Sequence, residues 1–589
     1  MAGLLKRAKP QLPVLIILAV SLFAWAPLLT PAYFFQAHDA PHSVFFLVEF
    51  DQTFRDGYLW PRWSPDFSFG YGYPLFNIYS PLAFYAAEIL HLLGLSFVAA
   101  VKAMYILATA GAGLTMYLFA RRLFGREAGL LAAAVYMLIL YRLLDIYVRS
   151  SYSEFVALAL LPLALWAFAE VIAAPSMRRV ALAGLVYGIL ALTHHTSLFT
   201  FTPFLVIYIL YLSFETWRAS GRERALRAAL YAALGGVLGL ALAAVYLVPM
   251  LVELRYINLG QWTAFNYSYD QHFVYISQLL SPFWGYGYSG PGLNDGMSFQ
   301  LGAVVLALAI CGGWLALARR IPERGTVLLC LAMTAGIVWL MSPAAQLAWT
   351  ALPIASLVQF PWRLLGLTAI TMSVVAGSLL ARPDGEAENQ ASGDRLPDTP
   401  SPDVLILLLV VVLGSFSYTL PQYTPVEPWR EQPEAVIRWD SFSPPDRVAI
   451  VAATDVQPTS GPMEAQYLAG EPLQVATLLT GTGAVQTLRR GGASNEVLVR
   501  ADGPATVEFY TFDYPGWQVT LDGQTVAHRH EPPYGLVTVD VPAGEHRVVL
   551  RMGTTPPRLA GGIASLLALA AIGVGLSGGR IWRRPAPLL

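Results

Sequence analysis

The chain has 589 residues, of which 56% are hydrophobic and only 13% are charged, and its formal net charge is -1. A soluble protein of this size carries roughly a quarter charged residues, and a nucleic-acid-binding protein shows a clustered basic surface. The composition therefore excludes an ordinary soluble enzyme and argues against a nucleic-acid partner. Recurrent apolar runs near the ~20 residues that cross a bilayer predict a polytopic, mainly α-helical membrane protein instead.

The first apolar run, residues 12–29, follows the basic residues Lys6, Arg7 and Lys9. This start resembles a signal peptide, but the run is long and no small-residue cleavage site is obvious, so we interpret it as a retained anchor. Because Lys and Arg are enriched in cytoplasmic loops, the span is expected to start inside the cell and to end outside.

A polar and strongly aromatic stretch, residues 38–81, follows this span and belongs to a first outer loop that covers 34–96. Loops held on a rigid scaffold are the usual place for functional residues. The apolar segment 82–93 is only about half a span long, so it is predicted to be a helix that lies on the outer membrane surface. The first span ends outside, and the basic residues Arg121, Arg122 and Arg126 are expected inside, so an odd number of crossings must separate them. With 82–93 on the surface, 97–120 is that single crossing.

The remaining apolar runs alternate between basic cytoplasmic loops and outer loops without conflict, and both termini are predicted to be cytoplasmic. A second outer loop covers 253–298, and the polar, Pro-rich segment 382–402 is predicted to be a disordered cytoplasmic loop. About twelve spans result: 12–29, 97–120, 128–148, 155–174, 180–193, 198–214, 229–252, 299–318, 325–342, 361–381, 403–420 and 559–577.

Residues 422–556 lose the long apolar runs and show short alternating segments instead. The alternation predicts strands, and Asp522-Gly523 supplies a hairpin turn. We expect an extracytoplasmic, β-sandwich-like domain that is large enough to fold independently. Residues 1–421 then form the transmembrane domain, and 557–589 form a final span with a basic cytoplasmic tail. The predicted strands are 507–512, 517–521, 536–541 and 546–552.

The candidate site residues are ionisable groups near the outer ends of the spans, because charges at membrane depth are costly. Asp39, beside His38, is a candidate general base if burial raises its pKa, although a solvated acid or a helix cap would explain it equally well. Glu154 is a second candidate catalytic acid. Together with Asp39 it could bind a divalent metal such as Mg or Mn, or it could simply complement a helix dipole.

Arg149 is the candidate phosphate ligand on the third span, because a guanidinium group matches phosphate in a bidentate manner. Arg142, Asp145 and Arg149 are spaced i, i+3 and i+7 and would share one face of a regular helix. For Arg142 and Asp145 we favour a plain ion-pair ladder along that face.

His194 and His195 could donate hydrogen bonds to a phosphate or bind a metal, and a polar cap on a tight turn explains them equally well. Arg363 could bind an anionic headgroup or extend its charge to the membrane surface. The many aromatic residues of the outer loops are typical of an interfacial belt, and sugar stacking is the alternative. Phosphate-binding Walker, HExxH zinc, CxxC and GxSxG motifs do not occur in a convincing context.

The runs YGYPLFNIYSPLAFYAAEILHLLGLS, RSSYSEF, LTHHTS and QFPWR resemble a bacterial membrane family labelled 6-pyruvoyl-tetrahydropterin synthase-related, over most of residues 10–380. The tail FYTFDYPGWQVTLDG is similar to outer domains of bacterial membrane proteins that resemble glycosyltransferases. The plan of the chain also resembles the GT-C superfamily of glycosyltransferases. Those enzymes carry a catalytic aspartate early in the first outer loop, then surface helices and further acids, which Asp39, 82–93 and Glu154 match.

These resemblances imply a glycosyltransferase in the bacterial cytoplasmic membrane, in contact with membrane lipids and active at its outer face. Its donor would be a sugar on a polyprenyl phosphate, held by Arg149, Arg363 and the histidines, and its acceptor a glycan or lipid attacked with inversion. The label does not imply pterin chemistry, because the histidine spacing of a pterin synthase zinc site is not present. The alternative is a non-catalytic transporter or scaffold for lipid-linked glycans in envelope assembly.

Overall fold

The computed structural model describes five stretches of the chain, residues 12–260, 265–318, 321–381, 400–439 and 450–578. Most of the loop predicted at 382–402 lies outside these stretches, as do the basic residues that were used to orient the two termini. The cytoplasmic position of these segments therefore remains a prediction.

All twelve predicted spans fall on helices within the described residues. Nine segments are long and apolar enough to cross a membrane: Leu12–Leu29, Phe97–Phe124, Arg126–Arg149, Tyr152–Ala173, His195–Ser220, Arg222–Leu242, Arg324–Met341, Pro361–Leu380 and Pro556–Ser577. Three predicted spans correspond to shorter helices, Met177–Thr193, Ala303–Leu317 and Pro402–Ser415. The prediction of a polytopic helical membrane protein is confirmed.

The Arg126–Arg149 segment lies at the centre of the bundle, and its most apolar 18-residue window is completely buried. It is not one regular helix. An α-helix ends at Leu138, Ile139 is extended, a short helix covers Leu140–Leu144, and a π-helical turn covers Asp145–Arg149. Ser150 then adopts a left-handed conformation with φ 54°. A π turn inside a helix changes the direction of side chains and often marks a functional region.

The first long loop forms a layer of short helices over one end of the bundle, Ala40–Arg55, Leu75–Ile78 and Leu82–Leu92. We call this the capped end. The Leu82–Leu92 helix has 11 residues and matches the predicted surface helix. Its exposed side chains include Ile89 and Leu92, as expected for a helix that lies on a membrane surface.

The C-terminal domain is an antiparallel β-sandwich at the capped end. The strands are β1 Ala476–Thr480, β2 Gly483–Arg490, β3 Ser494–Ala501, β4 Ala505–Phe512, β5 Trp517–Leu521, β6 Gln524–Val526, β7 Arg529–Glu531, β8 Leu536–Val541 and β9 Gly544–Met552. One sheet has the strand order β1-β4-β8-β7 and the other β2-β3-β9-β5-β6. Asp522-Gly523 forms the turn between β5 and β6, with positive φ angles of 48° and 84° as a tight hairpin requires.

The four predicted strands correspond to β4, β5, β8 and β9, so that part of the prediction is confirmed. The other five strands were not predicted, because they are short or carry polar residues on both faces. The two sheets share a core of buried aliphatic side chains, among them Val499, Val507 and Leu550.

The β-domain packs directly on the first long loop. Trp517 meets Trp63 edge to face, with ring centroids 5.1 Å apart. The Asp56 carboxylate accepts hydrogen bonds from the Ser494 hydroxyl at 2.8 Å and from the Ala493 N–H at 3.0 Å. The loop is therefore enclosed between the helical bundle and the sandwich.

A buried ion pair, which we call the junction pair, connects the second long loop to the final span. Both Arg558 Nε and Nη2 donate to the Glu253 carboxylate, at 3.1 and 2.9 Å. Asn77 Nδ2 donates to the same carboxylate at 2.7 Å, which ties in the first long loop. Three separate segments thus meet at one charge pair.

Candidate active site at the capped end

Asp39 lies where the first span meets the central segment. Its backbone N–H donates to the Arg149 carbonyl at 2.6 Å, and the His38 N–H donates to the Val148 carbonyl at 3.1 Å. These bonds satisfy carbonyl groups at the end of the π turn, where a regular helix would leave them without partners. The irregular backbone of the central segment therefore fixes the position of Asp39.

The Asp39 side chain remains accessible. It occupies the N-cap position of the Ala40–Arg55 helix but makes no capping hydrogen bond. The side chain is 44% exposed, and its carboxylate lies 4.0 Å from His42 Nδ1. The Asp39 side chain therefore does not act as a helix cap. The side chain is not strongly buried either.

Glu154 is buried and held by several donors. The Tyr141 hydroxyl donates to Oε1 at 2.5 Å, and Arg149 Nη2 donates to Oε2 at 3.1 Å. Arg363 Nε lies 3.8 Å from the same oxygen. Both carboxylate oxygens are thus engaged, so Glu154 is arranged to hold two guanidinium groups rather than to accept a proton from a substrate.

Arg149 is enclosed on every side. Its Nη1 donates to Asp145 at 2.5 Å and to the Tyr141 hydroxyl at 3.2 Å, in addition to the bond with Glu154. The guanidinium carbon lies 4.5 Å from the centroid of the Trp362 ring. The structure therefore places this candidate phosphate ligand beneath the site, as the charge partner of two carboxylates.

The ion-pair ladder expected between Arg142 and Asp145 is wrong. Arg142 is completely buried, and its guanidinium carbon lies 4.3 Å from the Phe155 ring centroid and 5.2 Å from that of Tyr136. Among the described residues, none of its three nitrogens has a hydrogen-bond partner. Asp145 pairs with Arg149 instead, and both residues lie in the π-helical turn.

His194 caps the His195–Ser220 helix, as one of the two sequence interpretations expected. Its Nδ1 accepts the Ser197 N–H at 3.3 Å, so the proton of the neutral ring is on Nε2. Burial lowers the pKa of His194 to about 3, which keeps the ring neutral at physiological pH. His194 can therefore donate one hydrogen bond from Nε2.

His195 has different hydrogen-bond partners from His194, although the two ring centroids are 5.8 Å apart. Its Nδ1 lies 3.0 Å from the Tyr246 hydroxyl and 3.4 Å from Ser80 Oγ, and its backbone N–H donates to Ser80 Oγ at 3.0 Å. The structure places it at the contact between the first long loop and the helix that begins at Ala244.

A small pocket, with a volume of about 10 Å³, lies at the capped end between three helical segments. Glu154, His194 and Arg363 each stand near the start of one segment. The lining combines these charged and polar groups with hydroxyl and apolar side chains. The walls are Glu154, Leu158, Leu161, His194, Thr196, Ser197, Thr200, Arg363, Gly366 and Leu367.

Tyr79 interacts electrostatically with Asp39 and with two groups of this pocket. The pKa of its phenol is raised to about 12, mainly by burial; the Asp39 and Glu154 carboxylates add to the shift, while a hydrogen bond with Ser153 and the charge of Arg363 oppose it. The charges of Asp39, Glu154 and Arg363 thus all act on one hydroxyl. The sequence analysis missed Tyr79, because it stands in a run of aromatic residues that looks like an interfacial belt.

The second long loop covers the site. His38 Nε2 lies 3.0 Å from the Gly287 carbonyl, and burial lowers the pKa of the His38 imidazole. The Trp362 indole N–H donates to Ser289 Oγ at 3.1 Å. The second long loop thus contacts both His38, which precedes Asp39, and Trp362, whose ring packs against Arg149.

The expected divalent metal does not fit the donor set at Glu154. Its two oxygens already accept from a phenol and a guanidinium group, and Arg363 brings a second cation within 3.8 Å. Hard cations need free carboxylate oxygens. Within the described stretches, no group of three or more His, Cys, Asp or Glu side chains is arranged to hold a metal.

Three solved structures of glycosyltransferases are similar to this chain. The Archaeoglobus fulgidus oligosaccharyltransferase is 13% identical over 72% of this chain and 57% of its own, with a TM-score of 0.39. The mycobacterial arabinofuranosyltransferase AftD is 15% identical over 71% of this chain and 28% of its own, with a TM-score of 0.43. The arabinosyltransferase EmbB from Mycobacterium smegmatis is 10% identical over 92% of this chain and 63% of its own, with a TM-score of 0.33. The chain spans less than two thirds of each of these proteins.

No curated protein matches the sequence. The profile of the 6-pyruvoyl-tetrahydropterin synthase related domain, described as a membrane protein, matches residues 76–424. The match covers more than half of the chain and includes Glu154, His194 and Arg363, while Asp39 precedes it. The chain therefore belongs to the 6-pyruvoyl-tetrahydropterin synthase-related family of membrane proteins.

Proposed function

We propose that this protein is a membrane glycosyltransferase. It transfers a sugar from a polyprenyl-phosphate-linked donor to a glycan or lipid acceptor outside the cytoplasm. The observation that carries the proposal is the pocket that Arg363, His194 and Glu154 line together with apolar side chains, at the same end of the bundle as the half-exposed Asp39 carboxylate. A lipid phosphate likewise combines an anionic head with an apolar chain.

Arg363 and His194 are the proposed ligands of the donor phosphate. Arg363 Nη1 is held by the Val358 carbonyl at 2.9 Å, whereas the buried Nε has no hydrogen-bond partner among the described residues. A buried guanidinium N–H without an acceptor favours an anionic ligand. His194 Nε2 supplies a second donor, and the start of the His195–Ser220 helix faces the same pocket and favours negative charge.

The donor chain would lie along the apolar walls of the pocket. Leu158, Leu161 and Leu367 form these walls, and two threonines line the same pocket. Leu158 follows Glu154 by one helical turn, and Leu367 follows Arg363 in the same way. The same helices would thus bind the phosphate and the first isoprene units of the donor.

Asp39 is the proposed general base. It takes the proton from an acceptor hydroxyl, the resulting oxygen attacks the anomeric carbon, and the bond from that carbon to the phosphate oxygen breaks. The leaving phosphate keeps the electron pair, and Arg363 and His194 stabilise its charge. A single displacement of this kind inverts the sugar. Glu154 acts by holding Arg149 and Arg363 in position, and no step requires a metal.

The test is transfer of labelled sugar from polyprenyl-phosphate donors by the full-length protein in proteoliposomes. Asp39→Asn preserves size but removes the base, and general-base catalysis is worth about 10²–10⁴ in rate. Asp270→Asn, an exposed acid of the second long loop, is the matched control and should transfer at the wild-type rate. Undiminished transfer by Asp39→Asn would remove Asp39 from the mechanism.

The same experiment separates the enzyme from the alternative. If the wild-type protein transfers from no donor, while export of a lipid-linked glycan across the membrane depends on it, a transporter or scaffold would replace the proposal. Its location in the bacterial cytoplasmic membrane with the capped end outside is part of the proposal. Single cysteines introduced at 382–402 should then react only after permeabilisation, and those placed in the β-domain should react in intact cells.

A further inference from the structure

Asp39 lies between two histidine–aromatic pairs that come from different covering segments. On one side, the His38 ring stacks on Tyr288 of the second long loop, with centroids 4.1 Å apart and an interplanar angle of 20°. On the other side, the His42 ring meets Trp439 edge to face, with centroids 5.7 Å apart and an angle of 81°. The histidine that precedes Asp39 and the one that lies 4.0 Å from its carboxylate thus each contact an aromatic ring.

Tyr288 is exposed although its position is fixed. The residue is 68% exposed, and the backbone just before it is held by the contact of His38 Nε2 with the Gly287 carbonyl at 3.0 Å. Trp439 is partly buried and also packs against Phe45, with centroids 5.3 Å apart. Aromatic rings that are held rigidly offer contact area at a small entropic cost.

We propose that Tyr288 and Trp439 form the acceptor subsite and bind a sugar ring of the acceptor glycan. The inference rests on the proposed glycosyl transfer and specifies the class of acceptor for that reaction. The C–H face of the sugar packs against the aromatic rings, while a hydroxyl of the same sugar reaches the Asp39 carboxylate. This hydroxyl is the one that loses its proton to Asp39 and attacks the donor.

The chemistry of the subsite favours a glycan over a lipid acceptor. A sugar ring presents an apolar C–H face and hydroxyl groups at its edge, which match aromatic rings beside a carboxylate and two imidazoles. An alkyl chain in the same place would remove water from Asp39 without replacing its hydrogen bonds, which is costly. Aromatic rings next to a carboxylate and two imidazoles therefore favour an acceptor that is apolar on one face and polar at its edge, as a sugar is.

The position of the subsite also fits transfer from the pocket. His42, which meets Trp439, lies 4.0 Å from the Asp39 carboxylate, whereas Asp39 does not line the pocket. Donor and acceptor would therefore occupy separate regions. A base in this position can act on an acceptor hydroxyl without contact with the donor phosphate.

The first test measures sugar binding without turnover. The full-length protein in a sugar-free zwitterionic detergent is titrated with methyl glucoside, methyl mannoside, methyl galactoside and methyl arabinofuranoside, and binding is followed by saturation-transfer NMR. At least one glycoside should receive saturation from the wild-type protein. The signal should fall at least about threefold in Tyr288→Ala and in Trp439→Ala. Phe283→Ala removes another exposed ring of the same loop and is the matched control.

The second test separates a failure of the subsite from a failure of the proposed function. Photoactivatable polyprenyl phosphate should label wild-type and Tyr288→Ala protein equally, while the KM for the acceptor rises about 3- to 10-fold in the variant. Unchanged acceptor KM and unchanged glycoside binding in both aromatic variants would overturn the subsite but leave the transferase intact. Absence of glycoside binding by the wild-type protein would also overturn it. Absence of both donor labelling and transfer would refute the function itself.

Discussion

The junction pair and the Glu154–Arg149 pair are both buried carboxylate–guanidinium pairs at the capped end, but their surroundings differ. At the junction, all three nitrogens of Arg558 donate, to Glu253 and to the carbonyls of Pro515 and Gly553. Glu253 additionally accepts from Asn77 and from the Thr555 hydroxyl. The hydrogen bonds of this pair are satisfied within the protein.

Around Glu154 the hydrogen bonding is incomplete. Within the part of the chain that the structure describes, Arg363 Nε, one oxygen of Asp145 and the whole Arg142 guanidinium group lack partners. Leaving buried polar groups without partners is costly, and proteins tolerate that cost mainly where function requires it. The comparison teaches that hydrogen-bond satisfaction, more than burial or charge, separates the structural pair from the candidate site.

The largest expected effect is the loss of the junction pair. Arg558→Met leaves the Glu253 carboxylate buried without its cation, and breaking a buried pair typically costs about 3–5 kcal/mol. The amount of protein that elutes as a single species after heating, measured by fluorescence-detected size-exclusion chromatography, should fall sharply. Sugar transfer per folded molecule should not change.

The double variant Glu253→Met/Arg558→Met is the control for this prediction. It removes both charges, so it should recover a large part of the stability that the single variant loses. A single variant as stable as the wild type would mean that the junction does not depend on this pair.

Arg363→Ala should affect sugar transfer strongly and thermal stability only weakly, in contrast to Arg558→Met. The variant loses the Nη1 bond to the Val358 carbonyl but no hydrogen bond from Nε, so thermal stability should fall much less than in Arg558→Met. Transfer should fall about 10²–10³-fold, as for the loss of one donor to a charge that develops in the transition state. Arg255→Ala, which removes an exposed guanidinium group, is the matched control. Equal loss of stability and activity would place Arg363 with the junction as a structural residue.

Arg142→Met should have a smaller effect that sharpens the same contrast. Burying a charge without hydrogen bonds is costly, so replacing Arg142 by an apolar side chain of similar length should leave the stability unchanged or raise it. Donor affinity should fall by no more than about tenfold, because a nearby charge is lost but no contact with phosphate. Photolabelling with a polyprenyl phosphate probe measures the second effect, and strong destabilisation would contradict the first.

The sequence was informative wherever structure depends on local patterns. Apolar length and basic loops predicted the spans and the surface helix at 82–93, and alternation predicted four strands and the turn at Asp522-Gly523. These features depend on neighbours along the chain, which periodicity records. Glu154, His194 and Arg363 were also proposed from the sequence, because ionisable residues near span ends are few.

The rest depends on contacts between distant segments and on one irregular turn. The π turn at Asp145–Arg149 directs Arg149 toward Glu154 and away from the pocket, and a helical wheel assumes that no such turn exists. Tyr79 and Tyr288 stand among many aromatic residues, so composition alone could not separate site residues from a membrane belt. The neighbour that each ring finds is fixed only by the tertiary fold.

The smallest expected effect concerns Glu88, a buried carboxylate on the surface helix Leu82–Leu92. Burial and the neighbouring Asp51 carboxylate raise its pKa to about 8 from an ordinary value of 4.5. The folded protein therefore binds this proton more tightly than the unfolded chain does. The stability that Glu88 contributes is complete below about pH 4.5, decreases as the pH rises, and is lost above about pH 8. Glu88→Gln should flatten this part of the pH profile.

The Glu88→Gln variant should equal the wild type near pH 5 and exceed it in thermal stability near pH 9. Unfolding temperatures from pH 5 to pH 9 measure the difference, and Glu471→Gln, at an exposed position of the β-domain, should follow the wild-type profile. Parallel profiles for the wild type and Glu88→Gln would show that Glu88 is ionised in the folded protein. Its charge would then have to be balanced as completely as that of Glu253 in the junction pair. A flattened profile for Glu88→Gln would instead show that Glu88 is protonated in the folded protein. Like the groups around Glu154, it would then be incompletely paired, and protonation rather than an arginine would remove its charge.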